Sequence, residues 1–200
     1  AMSIISRGFT GRRGAAEAKL PPGQYLTSDF PVLAAGPTPS ISHDRWEFTI
    51  DEGSDVLQRW DWNSFRDLPT ETVTVDLHCV TRWSKLGTPW EGVSLDTLLA
   101  NVKTDFPFAM FRSYGDYTTN LPLKDVMNKQ AWIALKYDGS DLAAEHGGPA
   151  RLLVPHLYLW KSAKWVKGLT LMPQDKPGFW EGLGYHMYGD PWREQRYSEQ

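Results

Sequence analysis

The stretch TVTVDLHCVTRWSKLGTPW, residues 72–90, contains Cys79, the only cysteine of the 200-residue chain. Val73, Val75 and Leu77 alternate with polar residues up to this cysteine, which is the period-2 pattern of a strand with one buried face. The pattern therefore predicts a strand that ends at Cys79 and a thiol that points inward with the apolar side chains.

The residues after Cys79 break this alternation. Residues 82–87 combine an arginine, a tryptophan and a lysine with a glycine. We interpret them as a turn suited to an anionic group rather than as a continuation of the sheet. A basic turn beside an inward-facing thiol raises the question of what the thiol does.

The residues alone leave three roles open for Cys79. A lone cysteine on an apolar face is most often an inert part of the core. As the nucleophile of a cysteine hydrolase, it would need a lowered pKa and a distant base, because His78 points to the opposite face of the strand. As a metal ligand, one thiolate is too few for structural zinc but fits a soft metal bound mainly by a non-protein ligand.

Composition places the chain among ordinary globular proteins. Its length suffices for one domain with a sizeable core, which we assign to residues 20–200, with a flexible arm at residues 1–19. One cysteine excludes an intramolecular disulfide, and a net charge of −3 argues against a nucleic-acid partner. No apolar run could span a membrane, and no hydrophobic stretch follows Arg12 and Arg13. We therefore expect a cytoplasmic protein, or a periplasmic one only if an export signal has been removed.

Hydrophobic periodicity and turn residues predict an α+β fold. Predicted strands cover residues 45–50, 72–79, 108–117 and 131–137, with a last pair inside residues 151–172. Predicted helices cover residues 60–68 and a segment that starts at residue 91, with Ser94 as its N-cap.

Three segments of the chain resemble one family, the sulfite-oxidase-like, molybdopterin-dependent oxidoreductases. CVTRWSKLGTPWEGVSLDTLL, residues 79–99, is similar to the family's cysteine segment. GGPARLLVPHLYLWKSAKWVKGLTLM, residues 147–172, resembles its G-x-P-x-R-L-x-V-P segment with a lysine-bearing loop. WEGLGYHMYGDPWREQRY, residues 180–197, resembles the ending of a compact bacterial and archaeal branch. The three segments occur in the family's order.

The resemblance implies roles for five residues of these segments. Cys79 would give its thiolate to molybdenum, whose remaining soft donors would be the dithiolene sulfurs of the pterin. Arg151 would grip the cofactor phosphate, and Ser162, Ala163 and Lys164 would form the loop on the phosphate side. Guanidinium, ammonium and loop amides are the groups that a buried phosphate requires.

Other positions depart from the family pattern or match it loosely. Ser113 takes the place of a serine or threonine that contacts the cofactor, and His146 stands where the family often has asparagine. In TSDFPV, residues 27–32, the family's R-N-H-x-P-V has lost its asparagine and histidine, so that Ser28 and Asp29 become the candidate cofactor contacts.

Three further residues are candidates around the reacting centre. Arg82, just past the ligand, would shape the anionic cofactor or its mouth, with a surface cation–π contact as the alternative. Tyr114 and Asp116 follow in a glycine turn and would line the substrate channel as catalytic residues, although turn chemistry alone also accounts for an aspartate there.

The resemblance also implies a fold and an activity. The expected fold has a mixed sheet and a barrel-like core with short flanking helices. The expected cofactor is molybdenum-molybdopterin without haem, because the chain has no room for an added haem domain. The expected reaction is oxygen-atom transfer to or from a small sulfite- or sulfoxide-like substrate, with a separate redox protein as electron donor or acceptor. The alternative is a non-catalytic module that binds or carries molybdopterin.

Overall fold

Two mixed β-sheets carry most of the regular structure in the computed structural model, which describes residues 19–199. The predicted arm, residues 1–19, lies outside this range except for Lys19. The strands are β1 Tyr25–Leu26, β2 Glu47–Glu52, β3 Asp55–Asp61, β4 Glu71–His78, β5 Trp83–Ser94, β6 Phe108–Ser113, β7 Thr118–Pro122, β8 Trp132–Tyr137, β9 Ser140–Asp141, β10 Arg151–Leu153 and β11 Val166–Met172.

The helices are short. The α-helices are α1 Trp62–Arg66, α2 Leu95–Leu99 and α3 Phe179–Gly182, and the single 3-10 turns are His43–Arg45, Leu123–Asp125, Ala144–His146, Leu159–Lys161 and Pro191–Arg193. In the part of the chain that the structure covers, none of the helices has the length and apolar character needed to cross a bilayer.

Strand β5 is the centre of the first sheet. It is parallel to β1 and antiparallel to β4 and β8, and β8 also pairs with β9 and β10. Because β5 begins at Trp83, the predicted turn over residues 82–87 is wrong, and the turn is confined to residues 79–82. The basic and aromatic segment is extended because strands on both sides satisfy its backbone groups.

The alternation in β4 is confirmed. Leu77 and Cys79 are buried, while Val73 and Val75 are half-buried beside them. His78, on the opposite face, is also buried, and its Nδ1 lies 2.8 Å from the Ser84 Oγ. Both faces of the strand are therefore covered at the end that carries the cysteine.

The second sheet has the order β3-β2-β11-β6-β7, with β11 parallel to β2 and antiparallel to β6. Phe48, Ile50, Phe111 and Leu169 project from it into a fully buried core. Helix α2 adds its own leucines to this core. Burial of this apolar surface is the main stabilising contribution to the fold.

The helix caps explain where the predicted helices begin. Ser94 Oγ accepts a hydrogen bond from the Thr97 N–H at 3.2 Å, as predicted, but the residues before Ser94 belong to β5. Asp61 caps α1 by accepting from the Ser64 N–H at 2.8 Å. The helix predicted from residue 60 therefore starts two residues later, because strand pairing continues to Asp61.

Candidate functional site

A cavity of about 590 Å³ is lined by segments that are far apart in the sequence. These segments are the irregular stretch after β1, the turn after β4, the turn between β6 and β7, the chain from β10 to β11, and the region of α3. Sites for small molecules and cofactors have volumes of about 300–1,000 Å³. The cavity is therefore large enough to be the functional site.

Cys79 lies in the cavity wall at the start of the turn between β4 and β5. The turn is closed by hydrogen bonds from the Cys79 N–H to the Trp83 carbonyl and from the Arg82 N–H to the Cys79 carbonyl, each 2.9 Å long. The Thr81 hydroxyl donates to Cys79 Sγ at 3.1 Å. The thiol is thus held at the edge of the cavity by its own turn.

The electrostatic environment of Cys79 does not suit a nucleophile. Burial raises the pKa of the Cys79 thiol above its ordinary value, whereas nucleophilic cysteines have lowered pKa values. The nearest histidine in sequence, His78, faces away and is engaged by Ser84. A bound metal would displace the thiol proton. The environment therefore fits the metal-ligand alternative better than the cysteine hydrolase.

Arg151, at the start of β10, is a buried cation in the wall of the same cavity. Its guanidinium donates to the carbonyls of His146 and Ser162, both at 2.8 Å, and its Nε has no partner among residues 19–199. Burial lowers the pKa of Arg151 to about 10, so that it is charged at neutral pH. A buried guanidinium that donates only to carbonyls keeps its positive charge available to an anion.

Lys164 brings a second positive charge to this wall. Its ammonium donates to the Glu145 carbonyl at 2.6 Å, and burial, followed by the charge of Arg151, lowers the pKa of Lys164 to about 8. Over the described range, neither cation forms an ion pair with a carboxylate. A buried cation that lowers the pKa of its cationic neighbour, with no carboxylate of the described residues to neutralise either, marks an anion site.

Gly147 has no side chain, and this allows Arg151 and Lys164 to pack against the same point of the loop. Its φ is +109°, and a Cβ on Gly147 would lie 3.0 Å from both Arg151 Cβ and Lys164 Cα. Ser162, between them in sequence, uses its hydroxyl to accept from the Val154 N–H at 2.9 Å. The loop therefore presents cationic side chains to the cavity, while its serine hydroxyl holds the loop in place.

Half of the residues predicted for the site line this cavity. They are Cys79, Asp116, Arg151, Ser162, Ala163 and Lys164. The residues that the structure does not place in the cavity wall are Ser28, Asp29, Arg82, Ser113, Tyr114 and His146.

Two of the residues outside the wall lie directly behind it. His146 stacks on Phe30 with a ring-centroid distance of 4.1 Å, and Phe30 does line the cavity. Burial and then the charges of Lys164 and Arg151 lower the pKa of His146, which favours its neutral form. His146 Nδ1 and the buried Ser113 Oγ have no hydrogen-bond partner within residues 19–199.

The other four residues face elsewhere. The Tyr114 hydroxyl accepts from the Glu47 N–H at 2.8 Å, so it is directed to β2. Ser28, Asp29 and Arg82 are exposed at the surface.

No local sequence pattern predicted the aromatic part of the wall. Trp160, Phe179, Trp180 and Tyr185 all line the cavity. Tyr185 contacts Trp160 edge-on and stacks on Trp180, both with ring centroids 5.0 Å apart. The signal that could have found them was the density of aromatic residues in the tail, which has no regular period.

This fold belongs to a known class of protein. The model of the oxidoreductase molybdopterin binding domain family matches residues 35–180, and the chain belongs to this family. It is therefore an enzyme, a molybdopterin-dependent oxidoreductase of the sulfite-oxidase-like type, and its cofactor is a molybdenum-pterin.

Several related proteins support the same class. The chain is 36% identical over 190 residues to the uncharacterized oxidoreductase YuiH of Bacillus subtilis, covering 94% of this chain and 96% of that protein. It is 27% identical to the putative protein-methionine-sulfoxide reductase subunit YedZ1 of Azospira oryzae, covering 86% of this chain and 67% of the relative. It is 29% identical to the protein-methionine-sulfoxide reductase catalytic subunit MsrP of Gluconobacter oxydans, covering 56% of this chain and 42% of the relative.

A solved structure confirms the α+β fold class. The sulfane dehydrogenase SoxCD from Paracoccus pantotrophus superposes with a TM-score of 0.60 at 22% identity, covering 68% of this chain and 40% of that chain. At this identity the likeness concerns the fold alone, which has mixed sheets with few short helices.

Proposed function

We propose that this oxidoreductase transfers an oxygen atom to or from a small sulfite- or sulfoxide-like substrate, at a molybdopterin whose metal is bound by the Cys79 thiolate. The observation that carries the proposal is the composition of one cavity wall. It contains a single inward-facing thiol together with two cations, Arg151 and Lys164, that have no carboxylate partner in the described range. One soft ligand and one anion site are what a phosphorylated dithiolene cofactor requires.

The residues present fit this cofactor. The Arg151 Nε is a buried donor that has no partner among the described residues, and a phosphate oxygen would satisfy it. Lys164 supplies a mobile ammonium to the same phosphate. Ser113 Oγ and His146 Nδ1 are also buried and have no hydrogen-bond partner in the part of the chain that the structure describes, which supports them as further contacts to the polar rings of the pterin. Three other candidate cofactor contacts are exposed, namely Ser28, Asp29 and Arg82. Their role as contacts is supported only by the resemblance to the family.

The cofactor, when bound, supplies the two-electron redox chemistry and the exchange of the oxygen atom. The protein fixes the thiolate, holds the phosphate and limits the access of water. Tyr117 and Trp160 help to limit the access of water. Both line the cavity, and the Tyr117 hydroxyl donates to the Trp160 carbonyl at 2.5 Å. Asp116 is exposed at the cavity edge, where an arriving substrate would meet it, and Tyr114 would act only through the turn that it shares with Asp116.

A sulfoxide is the substrate class that we favour. Two of the named relatives are protein-methionine-sulfoxide reductase subunits. Reduction of a sulfoxide consumes two electrons, so a separate redox protein would act as the electron donor. Oxidation of sulfite at the same centre would release two electrons, so the partner would then act as an electron acceptor.

Analysis of protein purified from a molybdenum-competent host tests the proposal. We expect stoichiometric molybdenum, a pterin after acid extraction, and reduction of methionine sulfoxide or dimethyl sulfoxide with a reduced viologen as the donor. Oxidation of sulfite with ferricyanide would instead identify the opposite direction. Protein that contains neither molybdenum nor pterin after such expression would overturn the proposal.

The position of Lys164 predicts pH-dependent binding of the cofactor. With a Lys164 pKa of about 8 in the cofactor-free protein, the ammonium loses its proton as the pH rises from about 7 to 9, and the attraction for the phosphate is lost with it. We expect the dissociation constant of metal-free molybdopterin, which takes no proton from the Cys79 thiol, to rise over this range when it is measured by fluorescence quenching. In Lys164→Arg the guanidinium keeps its charge, so its profile should be flat. An equal rise in both proteins would show that another group titrates.

A further inference from the structure

We propose that Gln24 and Arg196 are positioning residues that fix the direction of the Cys79 thiolate by holding the backbone carbonyls of its turn. The inference rests on the proposed function, in which Cys79 is the metal ligand. Neither residue lines the cavity, and they lie at distant positions of the sequence. Their side chains nevertheless meet at the one turn that carries the thiol.

Gln24 holds both ends of this turn. Its Nε2 donates to the Cys79 carbonyl at 3.2 Å and to the Trp83 carbonyl at 2.9 Å, and it also lies 3.1 Å from the Ser84 Oγ. Its Oε1 accepts from Arg196 at 2.8 Å. The guanidinium can only donate, and this fixes which end of the Gln24 amide faces the turn.

Arg196 holds the next carbonyl of the turn. The side chain is buried, and its Nη1 donates to the Val80 carbonyl at 2.7 Å. Its Nη2 donates to the Pro22 carbonyl at 3.2 Å as well as to Gln24. The guanidinium also lies 5.0 Å from the centre of the Tyr158 ring. Arg196 therefore connects the Cys79 turn to the segment that contains Gln24.

Gly23 makes this approach of the two segments sterically feasible. Its φ is +70°, and a Cβ at this position would lie 2.6 Å from Glu194 Oε1 and 3.1 Å from an Arg196 nitrogen. The pairing of β1 with β5 fixes the residues that follow, since the Tyr25 N–H donates to the Arg82 carbonyl at 2.8 Å. Backbone pairing and a glycine thus place the Gln24 amide against the turn.

The turn needs external support. Arg82 adopts a φ of +81°, in the left-handed region that arginine rarely occupies. Such a conformation persists when the surroundings determine it. The Cys79 N–H, bonded to the Trp83 carbonyl, and the Gln24 donor on the Cys79 carbonyl fix the two peptide planes that flank the cysteine, and these planes set the direction of its Cα–Cβ bond. The Arg196 donor on the Val80 carbonyl holds the next peptide plane of the turn. Partners that orient a metal ligand without touching the metal commonly tune its binding.

The test compares variants of the full chain. Gln24→Met removes the amide with little change in size, and Gln24→Glu keeps the contact to Arg196 but loses the donors to the turn. Gln130→Met is the matched control, because the Gln130 Nε2 donates to two loop carbonyls, of Lys124 and Met127, away from the cavity. Since the chain has one cysteine, iodoacetamide labelling followed by mass spectrometry reports on Cys79 alone.

In full chain prepared without molybdenum, we expect Gln24→Met to label about tenfold faster than wild type, which corresponds to about 1.4 kcal/mol and is within the net contribution of the two lost hydrogen bonds to the Cys79 and Trp83 carbonyls. Gln130→Met should label at the wild-type rate. In molybdenum-loaded protein, Gln24→Met should retain the metal but shift the g values of the Mo(V) electron paramagnetic resonance signal. A stabilising role without positioning would leave that spectrum unchanged.

Two results separate this inference from the proposed function. Folded Gln24→Met and Gln24→Glu proteins with wild-type labelling rates and an unshifted spectrum would overturn the positioning role, while leaving Cys79 as the ligand. Absence of molybdenum from the wild-type protein would overturn the proposed function. In that case the labelling rates would still show whether Gln24 holds the turn.

Discussion

Cys79→Ser is expected to lose turnover by more than about 100-fold, since even partners that only orient a metal ligand contribute about 10- to 100-fold. The substitution replaces a soft thiolate by a hydroxyl that stays protonated at neutral pH and binds soft metals poorly. The side chain is nearly the same size and only 7% exposed, so the fold should persist. Turnover per protein chain, together with metal content and a circular dichroism spectrum, measures the effect.

Thr81→Val is the control for this prediction. It removes the hydroxyl that donates to Cys79 Sγ at 3.1 Å but leaves the thiol in place. We expect it to lose less than about tenfold, the equivalent of one ordinary hydrogen bond of at most about 1.4 kcal/mol. If Cys79→Ser kept turnover within the range of Thr81→Val, Cys79 would not be the metal ligand.

Lys161→Met is expected to lower the free energy of unfolding by about 3–5 kcal/mol, because it leaves a buried carboxylate without its partner. Lys161 Nζ lies 2.7 Å from Glu181 Oε1, and both side chains are fully buried. The ammonium also donates to the carbonyls of Asn120 and Met187 at 2.8 and 2.6 Å. Urea unfolding followed by circular dichroism measures the change.

Two further variants test the origin of this effect. The double variant Lys161→Met with Glu181→Gln should recover much of the lost stability, since position 181 then no longer carries a buried charge that has lost its partner. Lys136→Met removes a half-exposed pair, with a distance of 3.1 Å to Glu91, and should cost at most about 1 kcal/mol. Equal losses in Lys161→Met and Lys136→Met would contradict the importance of burial.

The same ion pair supports the aromatic wall of the cavity. Glu181 belongs to α3, and its Oε1 also accepts from Trp160 Nε1 at 2.9 Å and from Thr119 Oγ1 at 2.8 Å. Trp160 lines the cavity, and so do Phe179 and Trp180 beside Glu181. Loss of the pair would therefore loosen the wall before it unfolded the sheets.

Local patterns predicted the parts of the fold that depend on neighbouring residues. The alternation that ends at Cys79 and the Ser94 cap are confirmed, because side-chain period and capping are decided within a few positions. The resemblance of residues 147–172 placed Arg151 and Lys164 in the site, and both line the cavity. Their roles toward a phosphate stay predictions.

Features that depend on distant contacts were not predictable in this way. Residues 82–87 read as a turn from their side chains, but pairing with β1 and β4 holds residues 83–85 extended. The division of the strands between two sheets and the aromatic wall follow from packing between segments that are far apart in sequence. Local propensity carries little information about such contacts.

The separation of Gln24 and Arg196, 172 positions along the chain, bears on when the pocket is completed during translation. A ribosome adds about 5–20 residues per second from the N-terminal side. Cys79 therefore leaves the ribosome well before Arg196 and before the wall residues 179–185 have been made. We expect molybdopterin to enter the finished polypeptide rather than the growing one, with delivery to the protein as a step separate from synthesis.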